Sequence, residues 1–122
     1  MMNEAEAALH DAVAEELKKR LRHQYRDIKT NLSGQKTHEY KGLYPDMILS
    51  EQGMVLAVLE IETENSFNPD RIELWKQLAG SGARLMLMVP KSLKPRIASA
   101  LWDAGLVDKA AVGSYEISIQ MP

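Results

Sequence analysis

The chain contains no cysteine, which excludes a disulfide framework, a thiolate zinc site, an iron–sulfur cluster and a cysteine nucleophile. Long apolar runs are missing too. The longest, Met54 to Leu59, is six residues, where a membrane span needs roughly 20, so no membrane partner is expected. The first residues, Met-Met-Asn-Glu-Ala-Glu, carry neither a basic n-region nor an apolar h-region, and a cytoplasmic location is the expectation. No glycine-rich loop opens a helix, since Gly80-Ser-Gly82 follows one. A serine in a nucleophile elbow, a zinc finger, a recognition helix, an internal repeat and a low-complexity tract are all absent. What remains is 122 residues, 45% apolar and 26% charged, the make-up of one ordinary globular domain spanning 1–122.

Net charge is also small, at −2. That excludes a histone-like polycation but not a local basic groove. The sum hides a pattern. Residues 1–17 carry −5, residues 18–29 carry +5, residues 30–83 carry −4, residues 84–96 carry +4 and the remainder −2. Two basic segments therefore bracket an acidic middle. Acids at the start and bases at the end of a first helix also suit its macrodipole, so the first pair reads either as helix electrostatics or as a basic patch.

Asn3 to about Arg22 reads as an amphipathic helix with Asn3 as N-cap and Ala5, Leu9, Ala12, Val13, Leu17 and Leu21 as its stripe. Glu16 falls within about 20° of Leu9 on the wheel, with Arg20 as the simplest partner. Tyr25–Ile28 and Thr37–Leu43 are candidate strands, and Asn31–Gly34 has turn chemistry. Tyr44–Ser50 enters a short apolar strand through Pro45. Glu51-Gln-Gly53 makes a tight turn into Met54–Thr63, a strand whose apolar run demands burial on both faces. Asn68, Pro69 and Asp70 start a second helix that stops at Gly80. Ala83–Val89 is another apolar strand, Lys91 to about Ala104 a third helix restarted near Pro95, and Val107–Ile119 holds a last strand centred on Ser114–Ile119. The order is α-β-β-β-α-β-α-β, an α/β sheet flanked by helices. Met54, Met86 and Met88 read as core filler, and Trp75 and Trp102 as core or interface. His10, His23 and His38 show no ligand spacing and read as surface or capping residues.

The chemistry lies in the middle. With period two, Leu56, Val58, Glu60 and Glu62 share one face of the central strand. If the preceding strand pairs with it about the Glu51–Gly53 turn, Asp46 arrives beside Glu60 and Glu62. Three carboxylates on one patch cannot all ionise cheaply without a cation. Converging hard oxygens suit Mg²⁺ or Mn²⁺.

Pro45-Asp46 after an N-terminal helix, then Glu60-Ile61-Glu62 on the next strand, then a helix and a strand, resemble the PD-(D/E)XK nuclease superfamily over roughly residues 4–90 of the 122. The resemblance implies a restriction-endonuclease-like αβββαβ core and metal-dependent hydrolysis of nucleic acid, DNA foremost. Asp46 and Glu60 would hold the cation with the Ile61 carbonyl, and Glu16 matches a place where some members add another acid. The family's usual lysine is replaced here by Glu62. Glu62 would then act as a third ligand or base, as in members with Glu-x-Glu, or the cation would have moved to the second helix, with Lys76 as candidate. The third outcome is a fold kept and an activity lost, a silent module that binds nucleic acid or a protein. Lys18, Lys19, Arg22 and Arg26, with Lys91 and Lys94, would supply phosphate contacts. Cleaving both strands would need a homodimer or a partner.

Overall fold

The computed structural model describes residues 3–118 and contains three α-helices against a five-stranded mixed sheet. In chain order the elements are α1 (Glu4–Leu21), β1 (Asp27–Thr30), β2 (Met47–Glu51), β3 (Met54–Ile61), α2 (Pro69–Ala79), β4 (Arg84–Pro90), α3 (Lys94–Asp103) and β5 (Ala110–Tyr115). A 3₁₀ turn, Lys91–Leu93, leads into α3. Strand order follows the chain. β1, β2 and β3 form an antiparallel meander, and β3, β4 and β5 run parallel through α2 and α3.

The two faces have separate cores. Ala57, Leu59 and Ile61 of β3 and Met47 and Leu49 of β2 pack beneath Ala14, Leu17 and Leu21 of α1. Val58 and Leu85, Leu87 and Val89 of β4 pack against Trp75 and Leu78 of α2 and Ile97 and Leu101 of α3. Covering on both faces explains why β3 and β4 are apolar rather than alternating. A register shift opposite Leu49 and Ser50 interrupts the alternation, so Leu56 is exposed although Val58 is buried.

Local signals act as expected at the helix starts. Asn3 accepts the Glu6 N–H at 2.9 Å, and Asn68 accepts the Asp70 N–H at 2.9 Å. The β2–β3 turn places Gln52 and Gly53 at φ 50° and 79°, the left-handed backbone that two-residue hairpins favour. Several expectations are corrected. Thr37–Leu43 forms no strand, only an isolated Tyr40–Leu43 bridge. The last strand is Ala110–Tyr115, earlier than Ser114–Ile119, and Ile119 lies outside the described residues. Met54 and Trp102 are 66% and 72% exposed, so neither fills the core, whereas Trp75 is fully buried.

The long connection from β1 to β2 is ordered by one side chain. Asn31, itself buried, donates through Nδ2 to the carbonyls of His38 and Pro45, both at 2.7 Å. Its Oδ1 accepts the N–H groups of Thr37 at 3.0 Å and His38 at 2.8 Å. All its polar capacity is used, and its own N–H donates to the Asp46 carbonyl at 2.9 Å. Asn31→Ala removes these bonds together and leaves the buried Pro45 carbonyl without its partner, so a stability loss of about 3 kcal/mol is expected. Urea unfolding checks it, with a lower midpoint and an unchanged slope as the expected outcome.

Candidate functional site

Pairing of Met47 with Leu59 sets Asp46, one residue earlier, across from Glu60 at the end of the sheet where β3 finishes. The Asp46 carboxylate accepts the Ile61 N–H at 2.7 Å. Glu60 and Glu62 are 3% and 0% exposed. Asp46 and Glu60 are therefore neighbours at this end of the sheet, with Glu62 two residues beyond Glu60.

The cation among them is Arg71, in the first turn of α2. Its NH2 nitrogen lies 3.0 Å from Glu60 Oε2, and its Nε donates to Glu62 Oε1 at 2.8 Å. Ser66 donates to the other Glu62 oxygen at 2.5 Å. The Glu62 main chain is fixed as well: its N–H donates to the Met88 carbonyl at 2.9 Å, and its carbonyl accepts the Tyr115 hydroxyl at 2.6 Å. Both carboxylate oxygens of Glu62 are thus committed inside the protein. That geometry suits an anchor for Arg71 better than a base or metal ligand open to water.

Asp46 has a second partner, His10 of α1. His10 Nε2 stands 3.0 Å from Asp46 Oδ1, and Nδ1 stands 3.0 Å from Asp11 Oδ1. Ser33 donates to that same Asp11 oxygen through Oγ and through its N–H, both at 2.9 Å. His10 is 3% exposed, which corrects the surface or capping role read from the sequence. Burial opposes its protonation, but the Asp46 and Asp11 carboxylates outweigh burial and raise its pKa above 6.5. Glu60 is pushed well above 4.5, first by burial and then by the Asp46 charge, with Arg71 only partly opposing them. The Tyr115 hydroxyl is raised to about 12 by burial and by Glu62 and Glu64.

A cavity of about 310 Å³ opens onto this cluster, lined by His10, Asp46, Ile61, Asn65, Ser66, Asn68 and Arg71. On the other side of the His10–Asp46 pair a smaller one of about 220 Å³ runs under the β1–β2 connection. A further cavity of about 650 Å³, between α1 and β5, touches Thr63 and Asn65 but none of the three acids. The loop after β3 that separates it from the cluster is tied to α1, because Thr63 Oγ1 donates to Glu6 Oε2 at 2.8 Å.

Other candidates lie elsewhere. Glu16 is exposed and bonds Arg20 at 3.2 Å, the simple pairing its spacing suggested, and it does not join the acids. Lys76 is exposed, five residues (about 7.5 Å) farther along α2 than Arg71, and away from the cluster. Lys18, Lys19 and Arg22 extend about 12 to 18 Å beyond His10 along α1. Arg26 pairs with Glu51 at 2.9 Å beside the β2–β3 turn. That basic segment therefore occupies the end of the sheet opposite the acids. Lys91 and Lys94 follow β4, whose Met88 pairs with Ile61, and so stand at the acidic end.

Sequence reasoning missed Arg71 and His10. His10 was legible as one of the i, i+4, i+7, i+11 positions shared with Ala14, Leu17 and Leu21. Arg71 was legible from its place one turn after the Asn68 cap, where α2 begins over the end of β3. No protein-family model, curated protein or solved structure matches the chain.

Removing Arg71 strands two buried carboxylates. Arg71→Met is expected to cost about 3–5 kcal/mol at pH 8 and less at pH 5, where a proton can replace the guanidinium. Adding Glu60→Gln and Glu62→Gln should recover most of the loss, as denaturant titrations at both pH values would show. The intact protein has its own pH signature. Folded Glu60 retains a proton above 4.5 that the unfolded chain releases, so stability falls as pH rises from 4.5 towards its folded value. His10 adds to the same trend: its contribution is complete below 6.5 and fades as pH rises through its folded pKa. Glu60→Gln should flatten the acidic part of this decline and leave the histidine part.

Proposed function

We propose that the chain is a divalent-cation-dependent nuclease with a restriction-endonuclease-like core of the PD-(D/E)XK type. The observation that carries this reading is the register that sets Asp46 opposite Glu60 at the end of the central strands. The α-β-β-β-α-β order with an antiparallel meander leading into a parallel crossover supports it.

The donor set fits a hard cation in chemistry. Arg71 pairs with Glu60 and Glu62 and His10 pairs with Asp46, so three carboxylates outnumber the one permanent cation and a proton or a further cation completes the balance. Among the described residues no three His, Asp or Glu side chains are grouped so as to hold a metal ion as they stand; Arg71 pairs with Glu60 and Glu62, and His10 with Asp46. Asp46, Glu60 and the Ile61 carbonyl would hold Mg²⁺ or Mn²⁺. When bound, the cation supplies a more acidic water and counter-charge for a phosphoryl oxygen. His10, held between Asp11 and Asp46, orients the Asp46 carboxylate. Arg71 takes the part expected of Lys76: a guanidinium, 26% exposed to the cavity and held by buried Glu62, offers its free edge to a phosphate. Lys91 and Lys94 supply backbone contacts at the same end. Lys18, Lys19, Arg22 and Arg26 at the far end are left for a longer stretch of nucleic acid or for a second copy of the chain.

A second reading has its own observation. Arg71 already satisfies Glu60, and a site neutralised this way needs no metal, as in a silent module that binds nucleic acid or a protein without cutting. Thermal unfolding in Mg²⁺ or Mn²⁺ separates the two. The nuclease reading expects stabilisation of about 2.7 kcal/mol at a hundredfold excess over Kd, lost in Asp46→Asn. It also expects nicking of plasmid or single-stranded substrate by the wild type and none by Glu60→Gln. No response to either ion and no cleavage would leave the silent module.

A further inference from the structure

The smaller cavity beside Asp46 carries a second assignment. It is lined by His10, Asn31, Ser33, Gly34, Gln35, Lys36, Tyr44 and Asp46 among others, and it meets the larger site cavity through the shared His10 and Asp46. Tyr44 is 39% exposed, two residues before Asp46. Lys36 Nζ lies 5.6 Å from the centroid of the Tyr44 ring. The wall of this cavity is prebuilt, because Asn31 bonds residues 37, 38 and 45 of the same connection.

Elsewhere at this end of the sheet the aromatic surface is already used. Phe67 stacks on Trp75 at 5.5 Å and carries Arg96 at 5.1 Å above its ring. Tyr44 also carries a cation, Lys36, over its ring, but among the described residues it stacks on no other aromatic, and it lines the cavity. An exposed aromatic ring with an ammonium over it, next to the candidate cation site, offers what a nucleobase and its phosphate require: the base stacks on the ring, and the ammonium pairs with the backbone. A base can enter such a concavity only when it is not paired and stacked within a duplex.

The geometry points to a nucleotide subsite at Tyr44 and Lys36 that takes one unpaired base beside the candidate cation site at Asp46 and Glu60, and so to single-stranded or frayed nucleic acid as the substrate class. This assignment rests on the nuclease reading. It names which side of the cluster the strand occupies and what state the strand is in.

Binding of a labelled single-stranded oligonucleotide and of its duplex, in metal-free buffer that prevents cleavage, tests it. The wild type should bind the single strand more tightly than the duplex. Tyr44→Ala should weaken single-strand binding about tenfold or more while Tyr44→Phe retains it. Duplex binding should change little. Lys36→Gln should lower the slope of log affinity against log salt by about 0.7 on the single strand. Unchanged single-strand affinity in Tyr44→Ala, equal losses on both substrates, or no single-strand binding by the wild type would each overturn the subsite. The Mg²⁺ or Mn²⁺ stabilisation of Tyr44→Ala keeps the two readings apart. If it matches the wild type while the binding result fails, the cation site stands and only the subsite falls.

Discussion

β3 enters the core as an apolar strand and leaves it carrying two carboxylates that have no access to water. Burying Glu60 and Glu62 is affordable only because Arg71 reaches both, with Ser66 and the main chain completing the shell of Glu62. Much of the local structure serves that balance. α2 must begin where it does, so that its first turn hangs over the strand end. The connection between them must turn back through Ser66, and β5 must bring Tyr115 to the Glu62 carbonyl. The charge at this point of the molecule is set by a few side chains whose positions depend on three different elements.

Asp46 extends the network across the sheet. Its carboxylate meets a main-chain N–H from β3 and an imidazole from α1, and its own carbonyl is held by Asn31. The site is thus braced from both faces of the sheet, by α1 on one side and α2 on the other. Glu62 keeps a cation at this end of the sheet by holding Arg71. The two functional readings meet at Glu60, because Arg71 already pairs with the carboxylate that a metal would also use.

The elements themselves were largely legible. Six apolar residues in a row marked β3 as buried on both faces, Asn68-Pro69-Asp70 marked the start of α2, and Gln52-Gly53 marked the hairpin that brings Asp46 to Glu60. Overlooked in the letters was how α1 is turned. A stripe drawn through Ala5, Leu9 and Ala12 omits His10, because imidazole counts as polar. Burial in fact follows His10, Ala14, Leu17 and Leu21, since two aspartates are there to receive the ring. Thr37–Leu43 misled for a related reason: strand-like composition cannot form a ladder when Asn31 already takes the backbone groups of residues 37 and 38.

By itself the sequence determined the α/β order, the pairing of β2 with β3 and the meeting of Asp46, Glu60 and Glu62, because each follows from short-range periodicity and one tight turn. Tertiary structure alone decided which cation meets those acids. Lys76 and Arg71 both lie on α2, and Glu16 and His10 both lie on α1. Choosing within each pair depends on helix rotation and on where a helix begins relative to the sheet, quantities set by packing over the whole domain. The same holds for the small net charge. Its two basic segments carry +5 and +4 on paper, yet folding places Lys18, Lys19, Arg22 and Arg26 at one end of the sheet and Lys91 and Lys94 at the end that carries the acids.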